Sequence, residues 1–224
     1  MRRFLRDNGL TLGFGALFLG ALIGQAFAGH ADMNNKRLSN DLDALGLGDY
    51  LTSSDFAVDV AENWQSEYLQ FFLFVMATIW LIQRGSPESK QPSEVGLESD
   101  EKQQLGKHIR PDSPAWARAG GWRTQLFSRS LGLTMAGLFL LCWLAQFVAG
   151  RAAHNGEQLT SFQDPLGAGE YLLSADFWNR SLQNWQSEFL AIGSMAILSV
   201  YLRQRGSPES KPVGAAHTVT EESG

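Results

Sequence analysis

Two glutamates that directly precede apolar segments are the residues of this sequence best placed to do chemistry. Glu67 and Glu188 each end an Asn-Trp-Gln-Ser-Glu pentapeptide, which occupies residues 63–67 and recurs letter for letter at residues 184–188. Carboxylates at the edge of an apolar segment can carry protons or coordinate cations, and they can equally hydrogen-bond to neighbouring helices. We therefore predict a polar network or ion site made from these acids and the nearby amides: Glu67, Glu188, Asn63, Asn184, Gln65, Gln186, Gln25 and Gln146.

The sequence contains no motif for the other common kinds of chemical site. The four histidines are scattered and Cys142 is the single cysteine, so neither residue type supplies a metal-ligand spacing. There is no glycine-rich phosphate loop, no nucleophile elbow and no His-x-x-x-His pair. The net charge of -5 leaves no strongly basic face for a nucleic acid. We expect no metal, no cofactor, no catalytic residue and no nucleic-acid partner, and hence a protein that is not an enzyme.

The pentapeptide belongs to a longer internal repeat with a constant offset of 121 residues. The same offset relates Asp55 to Asp176, and it relates the Arg-Gly-Ser-Pro-Glu-Ser-Lys sequences at residues 84–90 and 205–211. Because one offset serves throughout, the second half of the chain is a gap-free copy of the first.

The elements that must position these residues are four apolar runs separated by polar chain, an arrangement typical of a membrane protein. The runs are residues 9–28, 68–82, 131–149 and 189–202. We predict an all-α membrane fold of four transmembrane helices, arranged as two parallel two-helix repeats.

The first run imitates a secretory signal, because three arginines precede it and Ala-Phe-Ala ends it. The usual apolar region of a signal peptide has about 7 to 15 residues, and this run is longer and can span a bilayer. Its counterpart in the second repeat lies in the middle of the chain, where no signal can be. We therefore predict that the first run is retained as a membrane helix.

Each repeat also carries start and stop signals for its second helix. Ser53 can cap a helix whose first turn carries Asp55. The next breaks in the pattern are Gly85, which can take the left-handed C-cap conformation, and Pro87, which cannot continue a helix. We predict one continuous helix over residues 55–84 and an equivalent helix 121 residues later.

The distribution of lysine and arginine predicts how the protein is oriented in the membrane. Fourteen of the 18 lysines and arginines fall at the N-terminus, in residues 84–129 and in the tail, and four fall in the two acidic loops. The positive-inside rule places the termini and the linker in the cytoplasm, and two crossings per repeat make the repeats parallel. The predicted domains are a first two-helix repeat (1–90), a cytoplasmic linker with an interfacial helix near 116–127 (91–125), a second repeat (126–211) and a disordered tail (212–224).

The second helix of each repeat is short in its apolar part. Residues 68–82 make about 22 Å of helix against about 30 Å of hydrocarbon, so the turn that carries Glu67 must enter the outer edge of the membrane. Asn63, Glu67 and Gln70 have helical spacing and should face one way. Two tryptophans fit the outer aromatic belt as interfacial anchors, namely Trp64 and Trp185.

The duplicated Tyr-Leu-x-Ser-x-Asp-Phe, Asn-Trp-Gln-Ser-Glu and Arg-Gly-Ser-Pro-Glu-Ser-Lys elements resemble a family of uncharacterised bacterial membrane proteins, classed as a domain of unknown function. Residues 3–10, Arg-Phe-Leu-Arg-Asp-Asn-Gly-Leu, are similar to the opening of that family. The resemblance covers nearly the whole chain except the linker and the tail. It implies a location in the bacterial inner membrane, and it brings no activity and no catalytic residue.

Two functions remain open on this evidence. The first is a non-enzymatic scaffold or envelope-stress component of the lipid bilayer, in which the pentapeptide network holds the outer half of the bundle together. The alternative is a small ion or proton transporter or channel that uses the paired glutamates, acting as a homo-oligomer because four helices enclose little pore. The position of the glutamates near the membrane edge favours the structural interpretation.

Overall fold

The computed structural model describes residues 2–220, with Arg2 described by its backbone alone. Within that range the chain is helical and contains no strand, which confirms the all-α class. Short 3-10 turns occur at Pro92–Glu94 and Gly106–His108. The α-helices are α1 (Arg2–Asp7), α2 (Gly9–Ser39), α3 (Leu47–Leu51), α4 (Ser54–Ala77), α5 (Ala115–Arg118), α6 (Gly121–Phe127), α7 (Ser130–Thr160), α8 (Ala168–Leu172) and α9 (Ala175–Tyr201).

Two of these helices, α2 and α7, are long and apolar enough to cross a membrane. Each has 31 residues, which corresponds to about 46 Å of helix. Helices α4 and α9 have 24 and 27 residues and do not meet the same criterion of length and hydropathy. Their first halves carry several charged residues, which lowers the mean hydropathy. Two of the four predicted membrane helices are therefore long and apolar enough to span a bilayer, and the arrangement of four spans stays a prediction.

The predicted helix limits need correction. Helix α4 ends at Ala77 and α9 ends at Tyr201, several residues before the predicted stops. After Ala77 the backbone turns tighter, and Trp80 N–H donates to the Ala77 carbonyl at 3.0 Å. Gly85 and Gly206 do have positive φ, at +88° and +85°, but they shape the following loops and do not cap the helices. At the other end of each repeat, α2 and α7 continue to Ser39 and Thr160, beyond the apolar runs into the predicted acidic loops.

The contacts within the chain divide it into two compact units. The first unit contains the described residues 2–60 and 145–168. In it, the Asn34 side chain clamps the backbone of Leu45, accepting from its N–H at 2.7 Å and donating to its carbonyl at 3.0 Å. Asn155 makes the same pair of hydrogen bonds to Leu166, at 2.8 and 3.1 Å. An equivalent asparagine thus helps to hold the chain that follows each long helix.

Tyr50 is the most enclosed aromatic residue of this first unit, with 2% of its surface exposed. Its ring packs at 5.8 Å from the His30 ring and at 5.4 Å from the Phe56 ring, measured between centroids. Its hydroxyl lies so close to Gly29 that a Cβ atom there would overlap it. Only glycine fits at that position of α2, because any side chain would displace the tyrosine.

The second unit contains residues 61–144 and the described residues 169–220. The predicted interfacial helix near 116–127 is present as two short helices, α5 and α6, separated where Gly120 and Gly121 take positive φ values of +72° and +57°. The tail that we predict to be disordered lies partly outside the described residues. Over its described part, the buried Lys211 donates to the carbonyls of His217 and Val219 at 3.0 and 3.1 Å.

Candidate functional site

Helices α4 and α9 meet through a row of hydrogen-bonded polar side chains in the second unit, which we call the polar seam. Residues three and four apart share a face of a helix, and the seam residues of α4 follow that spacing. The seam consists of Glu62, Gln65 and Ser66 on α4, and Arg180, Trp185 and Glu188 on α9.

One end of the polar seam is an ion-paired network centred on Arg180. Its guanidinium lies 3.0 Å from a Glu62 carboxylate oxygen and 3.3 Å from an Asp176 carboxylate oxygen. The Tyr171 hydroxyl donates to the second oxygen of Asp176 at 2.9 Å. Burial, reinforced by this hydrogen bond to a carboxylate, raises the pKa of Tyr171 above its ordinary value, so the phenol stays protonated. The arginine therefore has two acidic partners, and one of them is held in place by a tyrosine.

The middle of the polar seam joins an amide to an indole. The Trp185 Nε1–H donates to the Gln65 side-chain oxygen at 2.8 Å, and the Gln65 amide nitrogen donates to the Glu62 backbone carbonyl at 3.1 Å. Gln65 is completely buried. Both polar ends of this amide are therefore satisfied in a place that water does not reach, which is the condition for a buried polar group to be stable.

The far end of the polar seam connects a serine with the second pentapeptide glutamate. The Ser66 hydroxyl lies 3.3 Å from a Glu188 carboxylate oxygen and 2.8 Å from the Asn63 carbonyl, and it can donate to either. Ser66 is buried, and Glu188 is half-buried. The geometry can hold two helices together. It requires no ligand to satisfy the groups that it contains.

The structure brings together only part of the predicted site. Gln65, Ser66 and Glu188 meet as described, whereas the face that carries Asn63 and Glu67 is exposed. Asn184 donates within its own helix to the Arg180 carbonyl at 2.9 Å. Of the remaining predicted residues, Gln186 is exposed. Gln25 is half-buried and Gln146 is buried, and both lie in the first unit.

An aromatic cluster beside the polar seam was missed by the sequence reasoning. Trp143 of α7 has its ring centroid 6.1 Å from those of Trp178 and Trp185 and 5.6 Å from that of Phe177. The Trp143 Nε1–H also donates to the Ser181 hydroxyl at 3.2 Å. The close spacing of large aromatic residues on α9 is the sequence feature that could have indicated this cluster. That spacing does not predict that Trp143 of α7 packs against them. Trp185, which we predict to be an interfacial anchor, lies half-buried in this cluster.

The repeated Arg-Gly-Ser-Pro-Glu-Ser-Lys loops have the same internal hydrogen bonds. In the first loop the Ser89 hydroxyl accepts from the Gln83 N–H at 2.8 Å, and in the second the Ser210 hydroxyl accepts from the Gln204 N–H at 2.9 Å. Both serines are buried. The second serine of each loop therefore closes that loop. The sequence predicts only that these residues end a helix, whereas in the structure they form a hydrogen-bonded loop.

The two loops also bring together their equivalent glutamates, Glu88 and Glu209. Burial, a side-chain hydrogen bond to Glu209 and the negative charge of Glu209 together raise the pKa of Glu88 to about 7. Two carboxyl groups in hydrogen-bond contact cannot both be ionised without repulsion, so Glu88 keeps its proton to a higher pH than an isolated glutamate would.

We expect the proton on Glu88 to make the stability of the protein depend on pH. Its folded-state pKa of about 7 lies above the ordinary value of 4.5, so between these values the folded protein holds a proton that the unfolded chain releases. The free energy of unfolding should therefore fall as the pH rises from about 4.5 to about 7. In Glu88→Gln this decline should be absent, as measured by thermal unfolding in detergent across the same pH range. Glu101→Gln, in the exposed linker, is the control, and a Glu88→Gln protein that keeps the wild-type slope would contradict the assignment.

Comparisons with known proteins give one match. No curated protein and no solved structure matches the chain. The model of one protein family matches residues 1–222, which is almost the entire sequence. The match extends further than the resemblance seen in the duplicated elements, because it also includes the linker and most of the tail. The chain therefore belongs to the family described as Domain of unknown function (DUF6766).

Proposed function

We propose that this protein is a non-enzymatic, structural component of the bacterial inner membrane, with four transmembrane helices arranged as two parallel two-helix repeats. The termini and the linker lie on the cytoplasmic side, as the distribution of lysine and arginine indicates. In this proposal α4 and α9 span the bilayer as α2 and α7 do, and the protein acts as a scaffold.

The polar seam is the observation that carries the proposal. Its carboxylates, amide, indole and guanidinium are paired with one another between α4 and α9. Side chains that satisfy each other across two helices stabilise the packing of membrane helices, by about 0.6 kcal/mol for an average hydrogen bond. A transport site needs polar groups that are available to a passing ion, whereas these groups are already occupied by each other.

The second halves of α4 and α9 support the proposed membrane location. Large apolar side chains of both helices remain exposed on the protein surface, and lipid would cover them. On α4 these include Phe71 and Leu73, and on α9 they include Leu190 and Ile197. Since α4 and α9 pair through their polar halves, their apolar halves are left to face the hydrocarbon.

The scaffold and the transporter can be separated by measuring flux and stability on the same variants. We expect wild-type protein in liposomes to give no proton or cation flux above that of empty liposomes. Glu188→Gln should lower the melting temperature in detergent, because the Ser66 hydroxyl loses a charged acceptor. Glu67→Gln is the matched control and should not lower the melting temperature, because Glu67 is exposed and lies outside the polar seam. Wild-type flux that these substitutions abolish, with melting temperatures unchanged, would establish the transporter instead.

A further inference from the structure

A groove lies where the linker meets the start of α7. Helices α5 and α6 form one wall, and the first turns of α7 form the other. The groove has a volume of roughly 500 Å³, within the range of ligand-binding clefts. Its lining is mostly apolar and consists of Trp116, Leu126, Phe127, Ser130, Leu133 and Thr134.

The groove is built by specific contacts between the two short helices. The Thr124 hydroxyl lies 2.9 Å from the Trp116 carbonyl and 3.1 Å from the Ala117 carbonyl, which fastens α6 to α5. The Trp116 and Trp122 rings meet edge to face with centroids 6.0 Å apart. The left-handed backbone at Gly120 reverses the chain between them. The wall is thus held in place although each helix is short.

The segment that forms the groove is positively charged. Residues 114–134 contain three arginines and no carboxylate, and all three arginines are exposed. Arg123 has its guanidinium carbon 5.7 Å from the centroid of the Trp122 ring, and Arg129 donates to the Gln125 side-chain oxygen at 2.8 Å. An arginine guanidinium can bind a phosphate through two parallel hydrogen bonds, which suits it to anionic headgroups.

We propose that this groove binds an anionic phospholipid, with the phosphate held by Arg118 and Arg123 and an acyl chain laid along Leu133 and Trp116. Two features favour a lipid as the occupant. The apolar wall continues directly into α7, one of the two helices able to cross a membrane, and the segment that forms the groove carries three arginines and no carboxylate. A basic, apolar groove at the cytoplasmic end of a membrane helix matches the chemistry of an anionic lipid. The inference rests on the proposed membrane location, because the groove must open towards the bilayer.

The test measures lipid binding to the full chain in detergent by native mass spectrometry. Dioleoyl-phosphatidylglycerol and dioleoyl-phosphatidylcholine are the two probes, since they differ in headgroup charge and have the same acyl chains. We expect the wild type to bind the anionic lipid more tightly. Arg118→Gln with Arg123→Gln should weaken that binding on the order of tenfold to thirtyfold and leave phosphatidylcholine binding unchanged. The matched control is Arg84→Gln with Arg205→Gln, which removes the same charge from exposed positions in the repeated loops and should change neither affinity.

A second variant tests the apolar part of the groove. Trp116→Ala should weaken the binding of both lipids, because it removes acyl-chain contact and leaves the arginines in place. Equal affinity of the wild type for the two lipids would overturn the proposal, as would a dimer that dissociates in Trp116→Ala and is not displaced by phosphatidylglycerol. Extraction of the protein from native membranes by alkaline carbonate would instead refute the membrane location, which separates failure of the proposed function from failure of the groove assignment.

Discussion

Replacing Arg180 with alanine is expected to lower the free energy of unfolding by about 2 to 3 kcal/mol, the largest loss for any substitution in the polar seam. The side chains of Arg180, Glu62 and Asp176 are 31%, 17% and 27% exposed, so solvent screens this network only in part. Removing the arginine leaves two carboxylates without their cation in a poorly solvated place. The cost therefore exceeds that of losing a surface ion pair, which is about 0 to 1 kcal/mol.

Thermal unfolding in detergent is the measurement, and the melting temperature should fall by roughly 4 to 12 °C for a chain of this size. The control is Arg84→Ala, which removes an exposed arginine from the first repeated loop and should have little effect. Arg180→Lys should recover part of the loss, because lysine keeps the charge but lacks the fork that reaches both carboxylates. A melting temperature for Arg180→Ala within a degree of the control would show that the network contributes nothing.

Replacing Trp185 with phenylalanine is the second large effect, with an expected loss of about 1 to 3 kcal/mol from a buried acceptor left without its donor. Phenylalanine keeps most of the aromatic packing but has no N–H for the Gln65 oxygen, which is completely buried. The loss of stability should therefore come mainly from the Gln65 oxygen that is left without a donor, and much less from the change in ring packing.

The double variant Gln65→Leu with Trp185→Phe isolates that contribution. Replacing both partners by apolar groups should recover most of the stability lost in Trp185→Phe alone, because no unsatisfied polar group then remains. Trp64→Phe serves as the control, since Trp64 is the exposed equivalent of Trp185 in the first pentapeptide. Additive losses in the double variant would mean that the indole and the amide are not coupled.

Asymmetry within the duplication explains why the ion pair could not be found from the repeated motifs. Arg180 corresponds to Asp59, and Glu62 corresponds to Gln183, so the ion pair is built from positions at which the two copies differ. The identical pentapeptides point to the face of α4 that carries Asn63 and Glu67. The face that packs on α9 is instead the one that carries Glu62 and Gln65.

The sequence predicts local features, such as helix starts, more accurately than contacts between distant residues. The Ser174 hydroxyl accepts from the Phe177 N–H at 3.2 Å, which is the N-cap that the Ser-x-Asp pattern predicts, and Ser53 does the same for Phe56. The ends of α4 and α9 were predicted too late, because glycine and proline mark where a helix can no longer continue. The helices end earlier, where the chain turns and Gly96 N–H donates to the Ile79 carbonyl at 2.8 Å.

The sequence by itself determined the helical class, the two long apolar helices and the serine caps that start α4 and α9, because each depends on residue type over a few turns of chain. The tertiary structure decided which face of α4 meets α9, that Trp185 binds Gln65, and that Glu88 lies against Glu209. Each of these contacts joins residues about 120 positions apart. Periodicity places a side chain on a face of its helix, and only the packing of one helix on another selects its partner.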